Sequence, residues 1–351
     1  MKSKFLSTAI GSMPFADAGR AVALSLETLD APIWPQLPKL GLREQMEIQY
    51  SEGMPRAVVD EVKGRMYFDT SVDYSEEFAG FYERYMEACE DEAAGFEAAA
   101  ISPEFSRGLY ALENALKNTG KRPFLKVQTT GPCSFALTIV DENKRAVYYN
   151  EEFRDVVVKA LAMKCRWQLR RFAPYADKLI CFIDEPILSA FGSSTYVSVK
   201  REDVVAALAE VIDAVHAEGA LAGVHCCGNT EWSILTDAGA DIVNFDAFGY
   251  GDTIAMYPEQ IKRHLENGGM LAWGVVPTSD AIRGQTVESL EAQLESVMDG
   301  LSVQRIDKGL ILEQAILTPS CGTGSLAEED ALRVFSLLSQ LSARMKENYG
   351  F

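Results

Sequence analysis

Eight short apolar runs divide the chain, and from about residue 90 onward most of them are separated by longer segments with helical periodicity. This alternation is typical of parallel strands joined by helices, because a parallel sheet needs a long crossover between neighbouring strands. Eight strand–helix units in 351 residues predict a single (β/α)8 TIM barrel over residues 1–351. A doubly wound open sheet is the alternative, since eight strands can also lie flat. The predicted strands cover 5–11, 95–102, 123–131, 178–186, 220–228, 240–248, 269–277 and 309–319.

Residues 30–90 interrupt this pattern and are expected to form an insertion after the first strand. The stretch "APIWPQLPKLG" is rich in proline and cannot form a regular helix. The stretch "AVVDEVKGRMYFD" predicts two short strands around Lys63-Gly64, which is the pattern of a β-hairpin.

Charge and cysteine usage exclude several classes of partner. The formal net charge is −18 and the pI is near 4.7, so we expect a surface that repels nucleic acid and anionic membranes. No apolar run reaches the roughly 18 residues that a membrane span requires, so we expect no membrane partner. Seven irregularly spaced cysteines make a poor disulfide framework and favour a cytoplasmic location.

Polar side chains gather at the carboxyl ends of the predicted strands. In a barrel all of these ends meet at one face, where active sites are built, so we expect the groups to share one site. They are Ile10-Gly11-Ser12, Ser102-Pro103-Glu104, Thr130-Gly131-Pro132, Asp184-Glu185-Pro186, His225-Cys226-Cys227, Asn244 with Asp246, and Pro319-Ser320-Cys321.

Within this set, "AGVHCCGNTEW" suggests half of a metal site. Side chains alternate along a strand, so His225 and Cys227 point the same way and Cys226 points into the packing. A histidine nitrogen and a cysteine thiolate are zinc ligands, and Cys321, at the end of another strand, is the best third ligand. The alternative is that all three are small buried residues without a metal.

Other candidates are more ordinary. His216 and His264 lie in helical segments and are expected to be solvated. Asp184 and Glu185 are adjacent on a strand, so only one should reach the site while the other pairs with a helix or an arginine. Trp34 either stacks on a ligand or packs beneath a lid.

Six short motifs, in this order, give the chain a likeness to a known family. The chain resembles the C-terminal catalytic barrel of cobalamin-independent methionine synthase, in its short core form, from about residue 7 to 325. It also resembles the methylcobalamin:coenzyme M methyltransferases of the uroporphyrinogen decarboxylase-like superfamily. The motifs are "TAIGSMP", "SPEF", "QTTGP", "FIDEP", "VHCCGNT" and "TPSCG".

The resemblance implies roles for particular residues. It implies that His225, Cys227 and Cys321 bind zinc, and that Asp246 stands where the long enzyme has a glutamate as a further ligand. It also implies that the segment Ile10, Gly11 and Ser12 holds the carboxylate and amine of homocysteine. Two carboxylates would bind the amino group, and no catalytic side chain is assigned beyond the metal ligands. The two carboxylates are those of Glu104 and Asp184.

Three features of the family are missing, and all of them concern folate. An arginine-bearing folate loop is not evident after the second predicted strand. "GVVPTSD" lacks the histidine that would protonate the departing folate, and "TGPCSFALTIV" lacks the tryptophan that would stack on it. Expelling tetrahydrofolate requires a proton donor, whereas expelling cob(I)alamin from methylcobalamin does not. We therefore expect a corrinoid donor, with the segment Trp34–Pro38 forming one wall of its entrance.

These inferences predict a zinc-dependent methyltransferase of methionine biosynthesis. It would transfer a methyl group to the thiolate of L-homocysteine, from methylcobalamin or a methylated corrinoid protein rather than from methyltetrahydrofolate. One alternative uses another thiol, such as coenzyme M, although Glu104 and Asp184 suit an ammonium group and would repel a sulfonate. The other is a non-catalytic barrel that binds zinc or a corrinoid protein.

Overall fold

A computed structural model describes residues 2–91 and 93–351, and within these ranges the chain forms ten strands and thirteen α-helices. The strands are β1 (Leu6–Ser7), β2 (Ala57–Asp60), β3 (Arg65–Phe68), β4 (Arg122–Thr130), β5 (Val140–Asp141), β6 (Ala176–Asp184), β7 (Leu221–Cys226), β8 (Ile242–Phe245), β9 (Met270–Val276) and β10 (Ala315–Pro319). The helices are α1 (Ala18–Thr28), α2 (Ser75–Cys89), α3 (Ala93–Ala98), α4 (Arg107–Thr119), α5 (Pro132–Thr138), α6 (Glu151–Phe172), α7 (Arg201–Ala217), α8 (Ser233–Asp237), α9 (Ala247–Tyr250), α10 (Pro258–Glu266), α11 (Val287–Val303), α12 (Lys308–Glu313) and α13 (Glu328–Tyr349).

Seven strands form one parallel sheet in the order β1-β10-β9-β8-β7-β6-β4. From β4 to β10 the order follows the chain without the reversal that defines a doubly wound sheet. The first strand lies beside the last, which means that the sheet curls. The fold is therefore a TIM-like α/β arrangement, but the sheet has seven strands and is not the closed ring of eight that the sequence predicts.

The missing strand is the one predicted at 95–102, and this prediction is wrong. Residues Ala93–Ala98 form helix α3, and no strand of the described chain covers 95–102. The stretch "GFEAAAIS" is apolar, but alanine and glutamate are strong helix formers and only Ile101 is β-branched. Its intrinsic helix propensity therefore outweighs the strand-like length of the run.

Residues 31–36 lie between the two edge strands of the sheet. Ala31 N–H donates to Ser7 O at 3.0 Å, and Lys126 N–H donates to Pro32 O at 2.9 Å. The segment pairs through isolated bridges rather than a continuous ladder. Proline has no N–H to contribute to a ladder, which explains why the pairing is interrupted.

The proline-rich segment does not form the open wall predicted for a corrinoid entrance. The side chains of Trp34 and Leu37 are fully buried. Trp34 Nε1 donates to Gln168 Oε1 at 2.9 Å, so the indole is anchored beneath helix α6. Trp34 is therefore a core residue, because its hydrogen bond and its apolar contacts are both satisfied internally.

The rest of the insertion contains the predicted hairpin. Strands β2 and β3 pair in antiparallel fashion around Lys63-Gly64, and Gly64 adopts a φ of 61° at the turn. Strand β5 adds to β3 in parallel and completes a three-stranded sheet. The hairpin prediction is confirmed.

Helices cover the outer face of the curled sheet, and an apolar cluster fills its inner face. Two of the segments with helical periodicity, at residues 201–219 and 286–301, contain α7 and most of α11. None of the helices in the described ranges has the length and apolar character that crossing a membrane requires. The inner cluster consists of Leu6, Ile10, Ala31, Ile180, Phe182, Ile242, Met270, Ala272 and Ile316.

Candidate metal centre

Four neighbouring strands carry a row of polar side chains at their carboxyl ends. Thr130 on β4 lies opposite Asp184 on β6 in the strand register. His225 on β7 lies opposite Asp184, and Asn244 on β8 lies opposite His225. Phe182, two residues before Asp184, belongs to the inner apolar cluster. Because side chains two apart share a face, the row points into the interior of the curled sheet.

His225, Cys227 and Cys321 bring their ligand atoms within 4.8 Å of one another. The histidine is buried and the two cysteines are half-buried. Both cysteines are free thiols. One imidazole nitrogen and two sulfurs form a donor set suited to a borderline-soft metal ion. The three side chains predicted as ligands therefore meet in one place, where they can hold a metal ion.

The orientation of His225 is fixed by Asn244. Asn244 Nδ2 donates to Ala272 O at 2.9 Å and to Thr318 Oγ1 at 2.8 Å. Its Oδ1 must therefore accept from His225 Nδ1, 2.6 Å away. His225 Nε2 is left with its lone pair and has no hydrogen-bond partner within residues 2–91 and 93–351. Metal-bound histidines are held in this way by a hydrogen bond on the other nitrogen.

The two half-buried thiols are electrostatically unequal. The pKa of Cys227 is lowered to about 4, because the neighbouring Cys321 thiol and the His225 imidazole stabilise its thiolate. The pKa of Cys321 is raised by its closeness to Cys227 and by burial. Burial raises the pKa of Cys226 to about 12, and its side chain packs in the outer core. The predicted division between Cys227 in the site and Cys226 in the packing is therefore seen in the structure.

Asp184 offers a free acceptor beside the ligands. Its side chain is 3% exposed, and Oδ1 has no partner among the described residues. Burial raises its pKa, while the charges of Lys126 and His225 act in the opposite direction. Lys126 Nζ lies 4.6 Å from the centre of the Phe182 ring and donates to Gln128 Oε1 at 3.2 Å. Burial lowers the pKa of Lys126 to about 8.

The segment Ile10–Ser12 lies against the loop that carries Cys321. Its first residue belongs to the inner apolar cluster, and the carbonyl of its last residue accepts from Thr323 N–H at 2.8 Å. Gly11 has no room for a side chain, because a Cβ would lie 2.4 Å from Gln36 Oε1. The segment therefore borders the metal ligands, as expected from its place after the first strand.

Asp246 lies beside the ligand cluster but serves as a helix cap. Its Oδ1 accepts from Gly249 N–H at 2.7 Å at the start of α9. Within the described residues it does not belong to the group whose ligand atoms lie within 4.8 Å of one another. Burial raises its pKa, and the charges of Cys227 and His225 are close enough to influence it. Its role as a further ligand stays a prediction.

Glu104 is not placed as the sequence suggested. In the described chain α3 and a loop, rather than a strand, come directly before it; its side chain is 74% exposed, and it pairs with Arg43. The surface depression that it lines contains none of the three metal ligands. The strand-end argument for Glu104 is wrong, because the residues before it form α3 and a loop. Its contact with a substrate amine stays a prediction without geometric support.

Glu185 has the structural role expected of one member of the acidic pair. Its carboxylate accepts from the N–H groups of Cys133 and Ser134, both at 2.8 Å, and from Ser134 Oγ at 2.7 Å. These donors form the first turn of α5, where a carboxylate also interacts favourably with the helix dipole. Burial raises the pKa of Glu185 to about 7. Asp184 alone therefore reaches the site.

The two helix histidines differ from each other. His216 is partly exposed and lies 2.8 Å from Asp241, in agreement with a surface position. His264 is buried, with Nε2 3.1 Å from Met270 O, so the prediction that it is solvated is wrong. The face of helix α10 that carries His264 packs against the start of β9. The apolar pattern of this helix is short, so the sequence did not show which of its faces is buried.

The sequence placed Thr130 at the predicted site without a specific role, and it did not single out the inner-face residues Lys126, Gln128 and Thr318. Lys126, Gln128 and Thr130 alternate along β4, and Thr318 supports Asn244 from β10. The alternation of polar residues in "LKVQTTG" was the available signal, since a lysine and a glutamine inside an apolar strand need internal partners.

Comparisons with known proteins add little to this description. No family model and no curated protein matches the chain. Among solved structures, the crystal structure of A. niger ochratoxinase matches with a TM-score of 0.27 and 13% identity, over 53% of this chain and 43% of that chain. The chain thus spans less than half the length of that structure. So low a similarity carries no argument about fold or activity, and the functional inference depends on the site.

Proposed function

We propose that this protein is a zinc-dependent methyltransferase that converts homocysteine into methionine. The observation that carries the proposal is the meeting of His225, Cys227 and Cys321, where His225 Nε2 has no hydrogen-bond partner among the described residues. Zinc suits one nitrogen and two sulfur ligands, and three protein ligands leave a position for a substrate. Zinc bound there would stabilise the substrate sulfur as a thiolate near neutral pH.

The chain's own residues would bind and orient the amino acid part of the substrate. Asp184 supplies a buried carboxylate with a free oxygen, which suits an ammonium group. The segment Ile10–Ser12 borders the loop of Cys321, where its backbone can meet the remaining polar atoms of the substrate. An acidic pocket of this kind disfavours coenzyme M, because its sulfonate would face the Asp184 carboxylate.

A corrinoid is the methyl donor that requires least from this site. A corrinoid bound there would supply the methyl group: the substrate sulfur would form the S–C bond with its own electron pair, and the electrons of the Co–C bond would stay on cobalt. No proton is needed by the departing cob(I)alamin, whereas a departing folate amine needs a proton donor. "GVVPTSD" contains no histidine that would serve as this donor. The free cysteines also fit the reducing cytoplasm, where we propose that the protein works.

We further propose that residues 31–36 take the place of the eighth strand. They connect β1 with β4 through hydrogen bonds on both sides. Gly11, which follows β1, and Lys126 on β4 then lie on opposite sides of one connecting segment. With the gap between β1 and β4 bridged in this way, the carboxyl ends of the strands can surround a single site.

The test is an assay of methionine formation by the zinc-loaded protein with homocysteine and three donors in parallel. We expect product from methylcobalamin or a methylated corrinoid protein. Turnover from methyltetrahydrofolate should be near background, because absence of a general acid removes a factor of about 10²–10⁴. Coenzyme M replaces homocysteine as the acceptor control and should be methylated more slowly.

Each other outcome contradicts a specific part of the proposal. Equal rates from methyltetrahydrofolate and methylcobalamin would show that the site contains an acid and would reject the corrinoid assignment. Faster methylation of coenzyme M would reject homocysteine as the substrate. Tight zinc binding without methyl transfer from any donor would favour a non-catalytic barrel.

A further inference from the structure

Thr130 and Asp184 form a buried pair of unpaired acceptors at the inner end of the sheet. They lie opposite each other in the register of β4 and β6. Thr130 is 0% exposed and Asp184 is 3% exposed. Neither Thr130 Oγ1 nor Asp184 Oδ1 has a hydrogen-bond partner in the described parts of the chain. Buried polar atoms are normally paired, because an unpaired one is energetically costly.

The pair points toward the metal ligands rather than toward the helices. Lys126, Gln128 and Thr130 are successive side chains on one face of β4. That face is the inner one, because Lys126 lies over the ring of Phe182 in the inner cluster. His225 continues the row on the next strand, with its Nε2 also unpaired among the described residues. A hydroxyl, a carboxylate and an imidazole therefore line one level of the interior.

We propose that Thr130 supplies a second acceptor, beside the Asp184 carboxylate of the proposed function, for the ammonium group of the thiol substrate, and that Thr130 determines specificity for amino acid thiols. An ammonium group has three N–H donors, while the carboxylate and the threonine oxygen both accept. The Asp184 charge selects a cation over a carboxylate at this position. The identity of the thiol as homocysteine rests on the proposed function, and the sequence placed Thr130 at a strand end of the site without assigning it a contact with the substrate.

Thr129 provides a matched control one residue away. It is also a threonine, is 0% exposed, and has a hydroxyl without a partner by the same criterion. It faces the other side of β4, where its hydroxyl lies against the Cys165 thiol of α6. Removing either hydroxyl therefore changes a buried position of the same strand, but only the change at Thr130 alters the interior row.

The experiment measures binding of two thiols to the zinc-loaded full chain by calorimetry. One is homocysteine, and the other is 4-mercaptobutanoate, which is homocysteine without its amino group. Thr130→Val should raise the Kd of homocysteine about 10- to 100-fold, which is the usual effect of losing a hydrogen bond to a charged group. The Kd of 4-mercaptobutanoate should not change. Thr130→Ser should restore most of the homocysteine affinity, and Thr129→Val should leave both values as in the wild type.

The outcomes separate this inference from the proposed function. Three results would overturn the role of Thr130. Thr130→Val could bind homocysteine with the Kd of the wild type, it could bind both thiols more weakly by the same factor, or Thr129→Val could raise the Kd of homocysteine as much as Thr130→Val does. Methionine formation is assayed on the same samples. Selective weakening of homocysteine in Thr130→Val without any methyl transfer by the wild type would support the ammonium pocket and reject the methyltransferase. Failure of the wild type to bind either thiol would reject both.

Discussion

At the scale of single residues, Asn244 decides whether His225 can act as a ligand. Its two amide hydrogens are directed to Ala272 O and Thr318 Oγ1, which leaves its oxygen to hold the proton on His225 Nδ1. Asn244→Leu keeps the volume but removes this support, and we expect metal affinity to fall about 10- to 100-fold. Competition with a chelator of known affinity measures the change. Wild-type affinity in this variant would show that Asn244 is unnecessary for orienting the imidazole.

The three cysteines near the site should respond differently to the same substitution. Cys227→Ser and Cys321→Ser each remove a soft ligand of the proposed zinc site, so both variants should lose the metal ion that we expect in the wild type. Cys226→Ser should retain it, because that thiol lies on the other face of β7 among core residues. Metal content per chain, measured after dialysis by elemental analysis, distinguishes the variants. Equal loss in Cys226→Ser would mean that the assignment of faces is wrong.

Much of the proposed ligand set could be predicted from local sequence, but the hydrogen bond that orients His225 could not. The spacing of His225 and Cys227 is enough to place both on one face of a strand. The Asn244 contact depends on the register between β7 and β8, which no local pattern specifies. The prediction for Glu104 was wrong because local sequence suggested a strand before it, whereas helix α3 and a loop come directly before it in the described chain.

At the scale of elements, the sequence predicted the strands of the long apolar runs well, but it did not predict the irregular pairing of residues 31–36. The strands predicted from residue 123 onward correspond to strands of the structure, although 309–319 begins with helix α12. The run at 95–102 overlaps α3, because alanine-rich stretches favour helix. The sequence of residues 31–36 did not indicate a strand, because its prolines cannot donate the N–H groups of a regular strand ladder.

Helix α6 carries a buried lysine that should make stability depend on pH. Lys164 is 2% exposed and its Nζ lies 3.5 Å from Ala99 O and Ala100 O, just after α3. Burial lowers its pKa from 10.5 to about 8. Below pH 8 the folded protein therefore contains a buried charge, and this penalty is relieved as the pH rises toward the pKa of the unfolded chain.

Lys164→Met removes that charge together with its pH dependence. As the pH rises from 8 to 10.5, the free energy of unfolding of the wild type should increase relative to that of the variant. For a pKa shift of this size the increase is on the order of 3 kcal/mol. Denaturant unfolding of both proteins at several pH values measures the difference. A constant difference across this range would show that Lys164 titrates in the folded protein as it does in the unfolded chain.

At the scale of the whole molecule, the site depends on bringing the two ends of the chain together. Strand β1 pairs with β10, and Thr323 Oγ1 donates to Ser12 O across a sequence separation of 311 residues. The sequence predicted that both segments follow strands, but only the topology makes them neighbours. The same closure places Cys321 beside His225 and Cys227, whose strand lies between β6 and β8.

The central claim is that these three residues hold zinc and leave a position for the substrate sulfur. Zinc K-edge X-ray absorption on the loaded protein counts sulfur ligands directly, since Zn–S and Zn–N or Zn–O distances differ by about 0.2–0.3 Å. We expect two sulfurs per zinc without homocysteine and three with it. A sulfur count that homocysteine does not change, or three sulfurs before it is added, would contradict the account.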